Sequence, residues 1–204
     1  MPGAMFRWAA PVFAHVGSRW GVGDADSLAK LLAPFVPAGG RLLDLGGGTG
    51  ALAALLAARM RSEVTILDAS PHMLRHAEGL PGVTPVSGDA EAMPFGAGVF
   101  DAVLVCDAFH HFSAPPAAAR EMARVVRPGG GVVVLEPDPA IWVVRLVAAA
   151  ECLAGEPGHF MKPRVFEELM RSVGVEGGAQ HQGKASYVYV GAVGGERTSP
   201  REPA

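Results

Sequence analysis

The sequence predicts an α/β fold: a mostly parallel sheet of seven strands with helices on both faces and an antiparallel hairpin at the carboxyl end. Two observations predict it. Short apolar runs alternate with helix-like segments along most of the chain, an order typical of a parallel sheet. The last two strand-like runs, Val175–Gln182 and Ser186–Val193, are separated only by a short turn, which favours an antiparallel pair.

The predicted elements follow one another in a regular order. Asp24 can cap a helix over 26–35, because a carboxylate accepts from the unpaired amides of a first helical turn. A strand at 42–45 leads through a glycine turn, 46–50, into a helix over Ala51–Met60. Further strands are predicted at Glu63–Asp68, Val83–Ser87, 100–105 and 131–136, the last after a turn at 128–130. Further helices are predicted at 70–78, 116–126, 139–154 and 163–173.

Length and composition limit the classes of protein that this chain can belong to. The 204 residues suit one domain, 24–195, preceded by an arm, 1–23, and followed by a flexible polar tail, 196–204. A formal net charge of −3 argues against a nucleic-acid partner. Cys106 and Cys152 lack metal-ligand spacing, so we expect no metal site and a reducing, cytoplasmic setting. No uncharged stretch reaches the ~18 apolar residues of a membrane span, so stable membrane insertion is not expected.

Acidic side chains follow the ends of successive predicted strands. Asp44, Asp68 and Asp89 occupy three such ends, and Asp107 lies just beyond a fourth. Because the carboxyl ends of parallel strands share one edge of the sheet, these carboxylates are predicted to line one crevice beside the glycine turn. Unpaired carboxylates resist burial, so a ligand that offers hydroxyl or amino groups would satisfy them.

Two kinds of cofactor suit a glycine turn followed by a strand-end acid. Gly46, Gly48 and Ala51 match the G-x-G-x-x-A form of the dinucleotide fingerprint, with Asp68 near the ribose position. An NAD(P)-dependent oxidoreductase is therefore one alternative. Against it, Asp44 lies two residues before the first glycine, where it would repel a pyrophosphate and attract a cationic ligand.

The segment 42–50, LLDLGGGTG, resembles motif I of the class I S-adenosylmethionine-dependent methyltransferases. Later segments match the family's following blocks: LDAS, GDAEAMPF, FDAVLVCDAFHHF and RVVRPGGGVVVLE. The resemblance covers residues 24–193 and is closest to the subgroup of ubiquinone and menaquinone C-methyltransferases. It implies a Rossmann-like sheet, S-adenosylmethionine as cofactor and methyl transfer to a small, lipophilic acceptor at carbon or oxygen. A non-catalytic cofactor-binding protein on the same fold is a further alternative.

The same resemblance implies a set of cofactor-binding residues, and these are Asp44, Gly46, Gly48, Gly50, Asp68, Ala69, Met73, Asp89, Ala90 and Cys106. In this pattern the glycine backbone passes beside the methionine part of the cofactor, and Asp44 helps to orient it. Asp68 accepts from both ribose hydroxyls, and the Cys106 carbonyl faces the methionine ammonium group.

The adenine end is implied to lie further along the same edge. Asp89 would accept from the adenine amino group, and the Ala90 amide would meet a ring nitrogen. Ala69 and Met73 would flank the ring.

Two histidines after the fourth strand, His110 and His111, are the candidate catalytic residues. Methyl transfer needs a base only if the acceptor is protonated at neutral pH, as a phenol or hydroquinone is. Packing histidines at the start of a helix are the alternative interpretation. His72 and His76 have the i, i+4 spacing of metal ligands, but no third ligand is evident, and we expect them to face solvent.

The apolar helix at 139–154 has three possible roles. It can pack on the core, contact a second copy in a homodimer, or join the aromatic residues of the arm in a pocket for a lipophilic acceptor.

Overall fold

The computed structural model describes residues 24–153 and 158–194, so the predicted arm and tail lie outside the described residues. The helices are α1 (Ala25–Leu32), α2 (Ala51–Met60), α3 (Pro71–Leu74), α4 (Pro115–Val125), α5 (Trp142–Leu153) and α6 (Pro163–Ser172). The strands are β1 (Arg41–Leu45), β2 (Glu63–Asp68), β3 (Val83–Ser87), β4 (Phe100–Cys106), β5 (Val126–Pro137), β6 (Val175–Gln182) and β7 (Ser186–Val193). A short 3-10 helix, Phe109–His111, follows β4.

The seven strands form one sheet in the order β3-β2-β1-β4-β5-β7-β6. Strands β1 to β5 pair in parallel, while β7 pairs antiparallel with both β5 and β6. The predicted fold class is thus confirmed. From β1 the chain first extends the sheet towards β3 and then crosses back to β4. Ligands in open α/β sheets bind at such a reversal, outside the carboxyl ends of the strands.

The sheet buries one hydrophobic cluster on each face. Successive residues of a strand point to opposite faces, so Leu43 packs in one cluster and Leu42 in the other. The cluster of Leu43 includes Phe109 and Phe166, and that of Leu42 includes Leu56 of α2. Each fully buried side chain of this size stabilises the fold by ~1.5–3 kcal/mol. The two clusters hold the strand ends, and therefore the loops beyond them, at fixed relative positions.

Several predicted boundaries differ from the observed ones, and three of them have a clear local cause. The helix predicted over 70–78 ends at Leu74, because the next amides bond three residues back, as in the bonds from His76 to Met73 and from Ala77 to Leu74. The turn predicted at 128–130 lies inside β5, as an irregularity where the register against β4 shifts. The helix predicted over 26–35 ends at Leu32, although Asp24 caps it as expected and accepts from the Ser27 amide at 2.6 Å.

Helix α5 shows most of its apolar surface to solvent. Val144 is buried, but the exposed fraction is 71% for Trp142, 59% for Leu146 and 91% for Leu153. Packing on the core therefore accounts for only one side of this helix. Within the described ranges, no helix combines the length and the apolar character that crossing a bilayer requires.

Candidate active site

The turn between β1 and α2 is built from glycines in the left-handed region. The φ angles of Gly46, Gly48 and Gly50 are +77°, +55° and +76°. A Cβ on Gly46 would lie 2.5 Å from the Ala108 Cβ, so this turn also packs closely against the segment after β4. The resulting bend exposes main chain rather than side chains to a ligand.

Replacing Gly46 with Ala is expected to destabilise the fold more than replacing Gly79 with Ala. Both glycines have a φ near +77°, and a side chain in this conformation costs ~1–2 kcal/mol. A Cβ on Gly79 meets nothing within 4 Å, whereas one on Gly46 collides with Ala108, which adds ~1–3 kcal/mol. Urea unfolding of both variants measures the difference, and equal losses would contradict the close approach.

Asp44 places a carboxylate under this turn. Asp44 is 1% exposed. Within the described part of the chain, its Oδ2 atom is buried and has no hydrogen-bond partner. A Cβ on Gly47 would lie 2.6 Å from that oxygen, so the turn covers it closely. Burial, and then the charge of Asp68, raise the pKa of Asp44 to about 7. Among the described residues, neither a hydrogen-bond donor nor a cation contacts this oxygen of Asp44.

Asp68 joins the glycine turn to the turn that follows β2. Its Oδ2 accepts from the Gly48 amide at 2.9 Å, and its Oδ1 accepts from the Ser70 amide at 2.8 Å. The Met73 methyl group would be 3.3 Å from a Cβ on Gly48. The structure thus brings together Asp68, Gly48 and Met73, while Ala69 is exposed beside them.

Asp89 lies further along the same edge, past the end of β3. Its Oδ1 accepts from the Glu91 amide at 2.9 Å, and Ala90 next to it is buried. Because β3 is two strands from β1 and strands are ~4.8 Å apart, Asp89 is separated from Asp44 by about 10 Å across the sheet. The row of acids therefore suits an elongated ligand with several polar groups.

The chain turns sharply where β4 ends. Cys106 is half-buried there, and burial together with the charge of Asp44 raises the pKa of its thiol. Asp107 has a φ of +54°, rare for a residue with a side chain, and its amide donates to the Leu135 carbonyl at 2.9 Å. A thiol of raised pKa is a poor nucleophile, so the Cys106 side chain is not a candidate for covalent catalysis.

Glu136, at the end of β5, is the main anchor of the segment after β4. Its buried Oε1 accepts from the amides of Ala108 and Phe109 at 2.9 and 2.8 Å, and its Oε2 is 2.6 Å from Nδ1 of His110. The Phe160 ring stacks on His110 with centroids 4.3 Å apart. The sequence analysis assigned no role to Glu136, although it is an acid at a strand end like Asp68.

The two candidate catalytic histidines have different environments. Burial acts to lower the pKa of His110, but the charge and hydrogen bond of Glu136 outweigh it and raise that pKa. Although His111 is partly accessible to solvent, desolvation by the surrounding protein and then the charge of His110 lower its pKa to about 4. Since a base works best with a pKa near the operating pH, His110 is the better candidate.

One group of possible metal donors exists among the described residues. Ligand atoms of His110, His111 and Glu151 all lie within 4.8 Å of one another. The sequence predicted no metal site, and proximity of this kind does not by itself establish one. His72 and His76 are exposed, with ring centroids 5.7 Å apart, and belong to no such group in the described chain.

Comparison with known proteins places this chain in a family. Residues 43–134 match the family described as "Methyltransferase domain". The demethylmenaquinone methyltransferase of Renibacterium salmoninarum is 34% identical over 180 residues, which make up 83% of this chain and 75% of that protein. The chain belongs to the S-adenosylmethionine-dependent methyltransferase family. S-adenosylmethionine is the cofactor of that family, so the resemblance found in the sequence is confirmed.

Other relatives match over a smaller part of their length. The rice chloroplast 2-methyl-6-phytyl-1,4-hydroquinone methyltransferase 2 is 38% identical over 113 residues, 53% of this chain and 32% of that protein. The chain spans about half the length of several further curated relatives. The structure of an S-adenosylmethionine-dependent methyltransferase from Aquifex aeolicus superposes with a TM-score of 0.69 at 17% identity, covering 86% of this chain and 93% of that one. This likeness extends the assignment of the fold to nearly the whole domain.

Proposed function

We propose that this family member binds S-adenosylmethionine along the row of strand-end acids and methylates a small hydroquinone-type acceptor at carbon or oxygen. The observation that carries the proposal is the buried, unpartnered Oδ2 of Asp44 at the glycine turn. The positive charge on the amino-acid end of a nucleoside bound at the turn would stabilise the ionised carboxylate of Asp44, and a pyrophosphate would repel it. The names of the relatives, which act on demethylmenaquinone and phytyl hydroquinone, favour the acceptor class.

The described residues fit the cofactor at three points. The backbone of Gly46 and Gly48 is partly exposed, so the methionine part can lie beside it near Asp44. The two oxygens of Asp68 already accept from amides, which fixes the carboxylate while further lone pairs remain for ribose hydroxyls. The separation of about 10 Å between Asp89 and Asp44 across the sheet supports placing the adenine end near Asp89. Gly50, Ala69, Met73, Ala90 and Cys106 complete the proposed set.

When bound, S-adenosylmethionine supplies an electrophilic methyl group on a sulfonium centre. The contribution of this chain is to hold that group and the acceptor in line and to exclude water, which can supply ~7–11 kcal/mol of the barrier reduction. His110 accepts the proton that a phenolic acceptor must lose. His111, with its lowered pKa, shapes the site without taking the proton.

Several expectations from the sequence belong to the same proposal. The exposed face of α5, with Trp142 and Leu146, is proposed to help contact a lipophilic acceptor. A homodimer and a cytoplasmic setting stay predictions, as do the division into arm, domain and tail and the absence of a nucleic-acid partner.

Transfer of radiolabelled methyl groups tests the function directly. We expect label from S-adenosylmethionine to appear in short-chain demethylmenaquinol or a related hydroquinone, and not in polar acceptors such as glycine or histamine. Label in a polar acceptor alone would exclude the proposed acceptor class. Tight binding of S-adenosylhomocysteine without transfer to any extract component would instead favour the non-catalytic alternative.

The affinity for S-adenosylhomocysteine is expected to rise with pH through about 7. Asp44 in the unliganded protein has a pKa raised to about 7, and a bound ammonium group favours the ionised carboxylate. Binding below pH 7 must therefore release a proton, which weakens affinity by up to about tenfold for each pH unit. Calorimetry at pH 6 and pH 8, in two buffers with different ionisation enthalpies, measures both the affinity and the proton released. A pH-independent affinity would contradict this role of Asp44.

A further inference from the structure

We propose that Glu136 is a positioning residue that fixes the tautomer of His110, so that Nδ1 carries the proton and Nε2 is left to act as the base. This inference rests on the proposed function, because it assigns the orientation of the base at the same site. The observations that carry it are the three hydrogen bonds to the buried carboxylate of Glu136.

The geometry leaves Glu136 one way to satisfy its partners. Its Oε1 is engaged by the amides of Ala108 and Phe109, which can only donate. Its Oε2, 2.6 Å from Nδ1 of His110, is acceptor-only in the ionised form, so the imidazole must present a proton at Nδ1. In a neutral imidazole the lone pair is then on Nε2, as in a base oriented by a buried carboxylate.

The ring is also held against rotation. Phe160 stacks on it with an angle of 19° between the planes. The backbone that carries the ring is fixed as well, because the His110 carbonyl accepts from the His159 amide at 2.6 Å. Asp107, Glu151 and His111 are the other titratable groups near the ring. Nδ1 of His110 lies 2.6 Å from Oε2 of Glu136, so Glu136 is the group that selects the tautomer.

Glu136→Gln is the test, because it keeps the size of the side chain while it removes the charge and replaces one carboxylate oxygen by an NH2 group. The glutamine oxygen can still accept from both amides, but its amide nitrogen would donate towards Nδ1 and so favour the proton on Nε2. We expect kcat to fall roughly 100-fold or more, within the range for loss of a general base, while the affinity for S-adenosylhomocysteine changes less than about twofold. The acidic limb of the kcat profile should move to lower pH, since Glu136 raises the pKa of His110.

Glu167→Gln is the matched control. Glu167 on α6 also accepts a backbone hydrogen bond, from the Ala179 amide at 2.7 Å, but it lies away from the histidine. This variant should retain the kcat and the pH profile of the unmodified protein. Loss of kcat in both variants to the same degree would overturn a specific role for Glu136.

Nitrogen-15 NMR spectra of the histidine rings identify the tautomer of His110 and require no methyl acceptor. His110 signals are assigned by their loss in His110→Asn, and we expect protonated Nδ1 in the unmodified protein and protonated Nε2 in Glu136→Gln. A proton on Nε2 in the unmodified protein overturns the inference, whatever the enzyme methylates. If no hydroquinone is methylated but the tautomers are as expected, the acceptor class fails and the role of Glu136 in setting the tautomer stands.

Discussion

Replacing Asp44 with Asn is expected to weaken binding of S-adenosylhomocysteine and, at the same time, to stabilise the unliganded protein. The binding loss is roughly 10- to 100-fold, because a hydrogen bond to a charged group contributes ~1.5–3 kcal/mol. The stability gain arises because burial raises the pKa of Asp44 from 3.8 to about 7. Above pH 7 the folded protein must hold a buried charge, which costs up to about 4 kcal/mol relative to the unfolded chain.

The sign of this effect can be checked against pH. A raised pKa in the folded state means that stability falls as pH rises from the unfolded value near 4 towards about 7, so the gain from Asp44→Asn should be large at pH 8 and small at pH 4. Urea unfolding at both pH values measures it. Asp26→Asn is the control, because that side chain is 67% exposed and pairs with Arg59 at the surface. A variant that loses both affinity and stability at pH 8 would contradict the unpartnered burial of Asp44.

Replacing His110 with Asn is expected to reduce kcat by roughly 10²- to 10⁴-fold while the affinity for S-adenosylhomocysteine stays within about twofold. Asparagine can place its amide nitrogen near the position of Nδ1, which keeps a donor for Glu136 and avoids leaving that buried carboxylate unpaired. Steady-state kinetics with a hydroquinone acceptor, together with calorimetry, separates the two effects.

Two further histidine variants make this result specific. His111→Asn should reduce kcat less, because the lowered pKa of His111 makes it a weak base at neutral pH. His76→Asn, at an exposed position outside the site, should leave kcat unchanged. Equal activity of His110→Asn and the unmodified protein would contradict the assignment of the base.

The fold was predictable because the apolar runs and turn residues in the sequence mark the same strands that pair in the sheet. Strands β2 and β7 begin and end where the sequence analysis placed them, since each is a largely apolar run next to turn residues or an acid. Boundaries that depend on distant contacts were not predictable. Ser70 and Pro71 mark the start of α3 locally, but nothing adjacent in sequence marks its end at Leu74.

Some features of the candidate site were predictable from local sequence, and others depend on distant contacts. The glycine turn, Asp44 and Asp68 were predictable because they lie within single motifs or at strand ends. The partnership of Glu136 and His110 was not, since the two are 26 residues apart and only the pairing of β4 with β5 brings them together. The difference between His110 and His111 also depends on that contact, and adjacent identical residues carry no sequence signal for it.

The most direct test of the account is competitive calorimetry of the purified protein with S-adenosylhomocysteine and NAD⁺. The account predicts that S-adenosylhomocysteine binds one site per chain, with an affinity that Asp44→Asn weakens, and that saturating NAD⁺ does not displace it. Binding of NAD⁺ at that site, strengthened when the Asp44 carboxylate is removed and accompanied by no binding of S-adenosylhomocysteine, would contradict it.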